Sequence, residues 1–162
     1  MIRGILLFVV LFTIRVQANA QWENLTPEQQ RLEFIRGQWT VEGLDSMYIE
    51  ACEWIQGGHM QCVSAYQEMD SFDKSFAYFT WSPDDQAYFF YGIYGNGLSR
   101  MLRGQWMEDR FVFDGTQLRN GKQIYTRITF TPGAAGITLT EESSIDGSTW
   151  QVSATFTYKK IK

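Results

Sequence analysis

Few residues in this chain of 162 are of a type and spacing that could do chemistry. The single histidine, His59, follows Gly57-Gly58. A general base needs a nucleophile or a carboxylate within reach, and no motif supplies one. A hairpin tip is also a poor place from which to hold a haem inside a domain, so His59 reads as a surface or rim residue. The acidic pairs Asp84-Asp85, Glu108-Asp109 and Glu141-Glu142 fall in or near turn signals. Neighbours on a strand point to opposite faces, so such pairs cannot act together on one bond. They read as solvated residues. Gly95-Asn96-Gly97 is a hairpin turn, without the strand-to-helix step of a phosphate loop. Arginines on strands remain. Arg103 and Arg127 sit mid-strand, and Arg100 near a strand start. Facing into a hollow fold beside tyrosines, they would anchor a ligand carboxylate. Facing outward they would be solvated, the commoner situation for arginine. Arg127 shares its face with Tyr125, and Tyr66, Tyr78, Phe90 and Trp106 either line the same space or fill a plain core. The expected binding set is Arg103, Arg127, Tyr125, Tyr66, Tyr78 and Trp106. No catalytic residue, metal ligand or cofactor is expected.

Cys52 and Cys62 are the only cysteines. Their spacing excludes a catalytic C-x-x-C pair, and two cysteines cannot build a structural zinc site unaided. The nine residues between them, EWIQGGHMQ, read as a hairpin. With Gln56-Gly57-Gly58 as a three-residue loop, Ile55 faces His59 and Cys52 faces Cys62. Cross-strand Cβ atoms about 4.5–5.5 Å apart are close to disulfide reach. The alternative is a pair of buried thiols, and the compartment decides between them.

That compartment is indicated by residues 1–20. Arg3 precedes an apolar run, Gly4–Ile14, too short to span a bilayer, and Ala18-Asn19-Ala20 matches a small-residue cleavage site. Cleavage after Ala20 removes Arg3 and Arg15 and takes the formal charge from −4 to −6. Residue 21 is Gln, so no lipid anchor is expected there. The reading is a signal peptide, 1–20, followed by one domain, 21–162, that is periplasmic or secreted. The negative charge argues against a nucleic-acid partner. No second apolar stretch is long enough to cross a membrane, so no integral membrane association is expected after cleavage.

The elements that would position any site are nearly all strands. Thr26-Pro27-Glu28-Gln29 carries a capping box with proline at the first helical position. The helix should run to about Arg36, with Gly37 ending it in a left-handed conformation. So short a helix must lie on something larger, such as the end of a barrel. Then come ten strand candidates: 38–43, 47–56, 59–69, 75–82, 86–94, 98–106, 109–114, 122–131, 136–144 and 148–159. With 12 Phe, 8 Tyr and 6 Trp, the composition favours sheet. Short links imply antiparallel neighbours, and closing the meander removes its edges. SFAYFTW (75–81) and AYFFYGIY (87–94) are apolar on both faces. Their outer face should be covered by the helix or by a second copy of the chain, or else remain exposed.

Leu32-x-Phe34-Ile35-x-Gly37-x-Trp39, followed by Cys52-Glu-Trp54-Ile55-x-Gly57-Gly58, resembles a bacterial family of small lipocalin-like proteins of unknown function. The resemblance covers essentially the whole of residues 21–162. It implies a closed up-and-down calycin-like barrel of about ten strands, in which Gly37 and Trp39 close one end. Such a tryptophan packs under a basic residue of the last strand, here Lys159 or Lys160. The implied function is non-catalytic binding of a small hydrophobic or amphipathic, fatty-acid-like molecule. The alternatives are a barrel enzyme of isomerase or cyclase type and a dimeric interaction protein. The enzyme reading requires inward-facing polar groups that perturb one another.

Overall fold

The structure is a computed structural model in which residues 24–68 and 71–161 are described. The expected signal peptide lies outside the described residues. Ten antiparallel strands follow one another around a closed barrel: β1 (Gly37–Val41), β2 (Tyr48–Ile55), β3 (His59–Glu68), β4 (Ser71–Ser82), β5 (Ala87–Ile93), β6 (Ser99–Met107), β7 (Arg110–Arg119), β8 (Lys122–Gly133), β9 (Gly136–Ser144) and β10 (Gln151–Lys160). Each pairs with its sequence neighbours, and β10 closes on β1 with Trp39 opposite Lys160. Closure leaves no strand with an unpaired edge.

The β2–β3 hairpin has the expected register, with Ile55 opposite His59 and Cys52 opposite Cys62. Gly57 and Gly58 both take positive φ, +86° and +73°, which glycine adopts without strain. The two cysteines form a disulfide across the pair. Two strands exceed their expected bounds by four residues or more. β4 begins at Ser71 because Phe72, Asp73 and Lys74 continue the ladder with β3. β7 reaches Arg119 because the turn to β8 is just Asn120-Gly121, both at positive φ. That two-residue turn suits the twist of the strands it joins.

The helix is shorter than expected. Thr26 caps it with the full capping box, but α1 spans Pro27–Gln30 only. Arg31–Ile35 continues as a 3-10 turn, and Arg36 is already extended. Gly37 therefore starts β1, at φ +133°, and does not end the helix. Three residues per turn place Leu32 and Ile35 on one face. Both are buried in the barrel interior, each contributing about 1.5–3 kcal/mol of burial. Hydrogen bonds fix the plug. Trp39 Nε1 donates to Ile35 O (2.7 Å), Trp54 Nε1 to Glu33 Oε2 (2.7 Å) and Tyr88 OH to Glu28 O (2.9 Å). Lys160, not Lys159, lies over the Trp39 ring, at 5.4 Å, while Lys159 pairs with Glu42.

The helix therefore caps an end and does not cover the outer face of the aromatic strands. Tyr91, Ile93 and Met101 stay exposed there. Among the described residues, no helix is long and apolar enough to cross a membrane.

Candidate functional site

Alternation along each strand decides what faces inward. Next to the plug the interior is solid. Phe79, Phe90, Phe111, Phe113 and Phe130 pack ring on ring, with centroids 4.8–6.1 Å apart in the contacting pairs. Gly104 makes room for this, since a Cβ there would collide with the Phe113 ring. Away from the plug the side chains thin out and leave a chamber of about 260 Å³. Its walls are mostly apolar, among them Val41, Phe79, Phe90, Ile128, Leu139 and Phe156. Gly92 keeps it open beside Tyr94, whose hydroxyl a Cβ would approach to 2.7 Å.

One side of the chamber is polar. β2 supplies Tyr48 and Glu50, β10 supplies Tyr158, β6 supplies Arg100 and β9 supplies Glu141, with Tyr94 just beyond β5. Tyr48 OH donates to Glu50 Oε2, and the Tyr48 and Tyr158 hydroxyls are 3.5 Å apart. Glu50 has accessible area, but that area faces the chamber rather than bulk solvent. Its carboxyl is accordingly pushed up by burial, against a smaller downward pull from the Tyr48 hydrogen bond. Burial and the nearby Glu50 raise both phenols, Tyr48 and Tyr158. Tyr94 is raised by burial and partly held down by Arg100.

Arg100 is nearly buried. Its guanidinium sits 4.8 Å over the Tyr94 ring, and Nη1 is 3.1 Å from Glu141 Oε1. The contact lies off hydrogen-bond geometry, so the buried Nη1 is ion-paired without a formed hydrogen bond. Glu50 Oε1 is in a similar position. Its near neighbour is Cys52 Sγ at 3.4 Å, and a sulfur in a disulfide carries no proton to donate. The same bond bears on metal binding. Glu50, Cys52 and Cys62 bring ligand-type atoms within 4.8 Å of one another, but the paired sulfurs offer no thiolate while the disulfide stands.

None of the six residues expected to bind lines this chamber. Arg103 faces out and donates to Asp85 O (3.0 Å). Arg127 faces out, stacks on Trp150 at 3.9 Å and pairs with Glu142. Tyr125 is on that same outer face, against Gly147. Tyr78 is outside too, accepting from Gln61 Nε2 (2.8 Å). Trp106 faces in, but at the plugged end, against Phe34 and Phe111. Tyr66 faces Tyr48 and Asp73 across the ladder, beyond the chamber wall. For the β8 pair the physical cause is plain. Ile128 and Phe130 are the inward face of β8, which turns Arg127 and Tyr125 outward. His59 is outside as expected, bonded to Thr80 Oγ1 at 2.7 Å.

The residues that do line the chamber had a signal. Tyr48, Glu50, Cys52 and Trp54 alternate along β2, so Glu50 shares a face with a buried cysteine and a buried tryptophan. Arg100, Leu102, Gly104 and Trp106 do the same on β6. Ile137, Leu139 and Glu141 do so on β9, which splits the Glu141-Glu142 pair between inside and outside. No protein-family model matches the chain, and no curated protein matches it.

Proposed function

We propose that the chamber binds a compact amphipathic molecule without transforming it, and that the protein does so outside the cytoplasm as a lipocalin-like barrel. The observation that carries this is the chamber itself, an internal space with apolar walls and one polar side. Its size narrows the ligand. An apolar cavity of about 150 Å³ holds one benzene, and drug-sized pockets start at roughly 300 Å³. A chamber of about 260 Å³ suits one or two fused rings better than a long alkyl chain. The Cys52–Cys62 disulfide supports an oxidising compartment.

Displacement of an environment-sensitive dye by a panel of monocyclic and bicyclic compounds tests the reading. Saturable displacement is expected, together with its loss in Ala77→Phe, which fills the chamber from β4. Absence of saturable binding in the wild-type protein ends the proposal.

The enzyme reading has one observation in its favour, three chamber groups, Tyr48, Glu50 and Tyr158, that perturb one another. It predicts deuterium exchange at carbon next to the carbonyl of a bound ketone, faster than in Glu50→Gln.

A further inference from the structure

The polar side of the chamber has a charge balance and a donor count, and together they describe the ligand's head. Among the described residues, Arg100 is the one cation lining the chamber, and Glu141 lies 3.1 Å from it. The pair is neutral before any ligand arrives. Glu50 is the other ionisable acid on the wall, enclosed with Tyr48 donating to it. Tyr48 donates to Oε2, so a proton held on this enclosed carboxyl would sit on Oε1. Oε1 faces a disulfide sulfur, a weak acceptor at best. Arg100 Nη1 is ion-paired with Glu141 but off hydrogen-bond geometry. The 3.5 Å Tyr48–Tyr158 contact is at the limit of a hydrogen bond.

We infer that the chamber selects an uncharged molecule bearing two hydrogen-bond acceptor oxygens on a compact ring frame, one oxygen meeting Arg100 and the other meeting the Glu50 and Tyr158 hydroxyls. The aromatic diketone, lactone and quinone classes have this chemistry. A carboxylate does not fit. It would lie beside Glu141 with no cation left to balance it, and an uncompensated buried charge is costly. Hydrogen-bonding capacity that the wall leaves unused favours the opposite, an uncharged acceptor that completes it without adding charge.

The inference rests on the binding reading above, and the test separates the two. The probes share one frame: 1,4-naphthoquinone is uncharged with two acceptors, 1-naphthoate is an anion, and naphthalene has no polar atom. Calorimetric titration of the wild-type protein is expected to rank the quinone first, at least about tenfold tighter than naphthoate. Glu141→Gln keeps the side-chain shape but frees the charge of Arg100, and is expected to reverse that order. Glu50→Leu is expected to weaken the quinone about tenfold, the worth of a hydrogen bond, and leave naphthalene unchanged. Wild-type protein that binds naphthoate as tightly as the quinone overturns the inference and leaves ligand binding intact. Failure of all three probes, with Ala77→Phe indistinguishable from wild type, removes the binding reading and this one with it.

Discussion

The two ends of the barrel solve the same packing problem in opposite ways. At the plugged end, helix residues Leu32 and Ile35, Trp39 and the phenylalanines of β4, β5, β7 and β8 fill the interior, and each polar ring atom has a named partner, as in Trp39 Nε1 to Ile35 O. At the other end the same strands carry tyrosines, glutamates and an arginine, and leave about 260 Å³ unfilled and hydrogen-bonding capacity unused. Protein interiors normally pack without voids and satisfy their polar groups. One end obeys both rules and the other breaks both, on strands common to the two. The plugged end holds the fold, and the other end is left incompletely packed.

Mutations should divide along that line. The largest effect is expected from Phe113→Ala in the solid half. It removes a fully buried ring and should cost about 3–5 kcal/mol in urea unfolding. Phe156→Ala on the chamber wall, 38% exposed, should cost about 1–2 kcal/mol. Equal losses would erase the distinction between the halves.

Reduction of the disulfide comes next. Cys62 lines the chamber while Cys52 is packed in the core, and the bond closes a loop of sequence separation 10. The double variant Cys52→Ser/Cys62→Ser should lose about 2–3 kcal/mol, read from the urea midpoint.

A smaller effect sharpens the polar side. Glu50→Leu leaves the Tyr48 hydroxyl without its acceptor and should cost about 1–3 kcal/mol. Adding Tyr48→Phe should recover most of that, because no orphaned polar group remains. A double variant no more stable than Glu50→Leu would contradict the pairing.

The smallest effect is in pH, where two carboxylates act with opposite sign. Glu50 is raised by burial, so its contribution to stability is complete below the unfolded carboxylate pKa and falls away as pH rises through the folded value. Asp146, in the turn before β10, is lowered by the Thr149 and Ser148 backbone N–H groups and the Ser144 hydroxyl. Its contribution is present above the unfolded pKa and lost as pH falls. Urea midpoints against pH should show Glu50→Gln flattening the loss toward higher pH and Asp146→Asn flattening the loss toward lower pH.

How much of this was legible in the sequence follows the same division. Short-range rules reached the fold. The Gly57-Gly58 turn set the hairpin register and paired Cys52 with Cys62, and the run of short links implied the closed meander. The rules failed where tertiary contact overrode local preference. Gly115 and Gln117 look like loop residues, yet β8 holds both in the ladder. Arg31–Ile35 tightened to a 3-10 turn so that Leu32 and Ile35 could both reach the interior. The binding set failed for a different reason. Arg127 looked like an anchor because a tyrosine shared its face, but the opposite face, Ile128 and Phe130, was the more apolar and turned inward. Glu50 was passed over, and Arg100 was named but left out of the binding set, because charged residues are usually exposed, although Cys52, Trp54 and Leu102 on the same faces placed them inside.

The account depends most on the open half being a ligand chamber and not an unfilled core. An amide and side-chain NMR titration with 1,4-naphthoquinone tests this directly. The account predicts saturable shifts concentrated at Tyr48, Glu50, Tyr94, Arg100 and Tyr158, with Phe111, Phe113 and Trp106 undisturbed. Shifts confined to the outer faces around Arg103 and Arg127, or none at saturating probe, would contradict it.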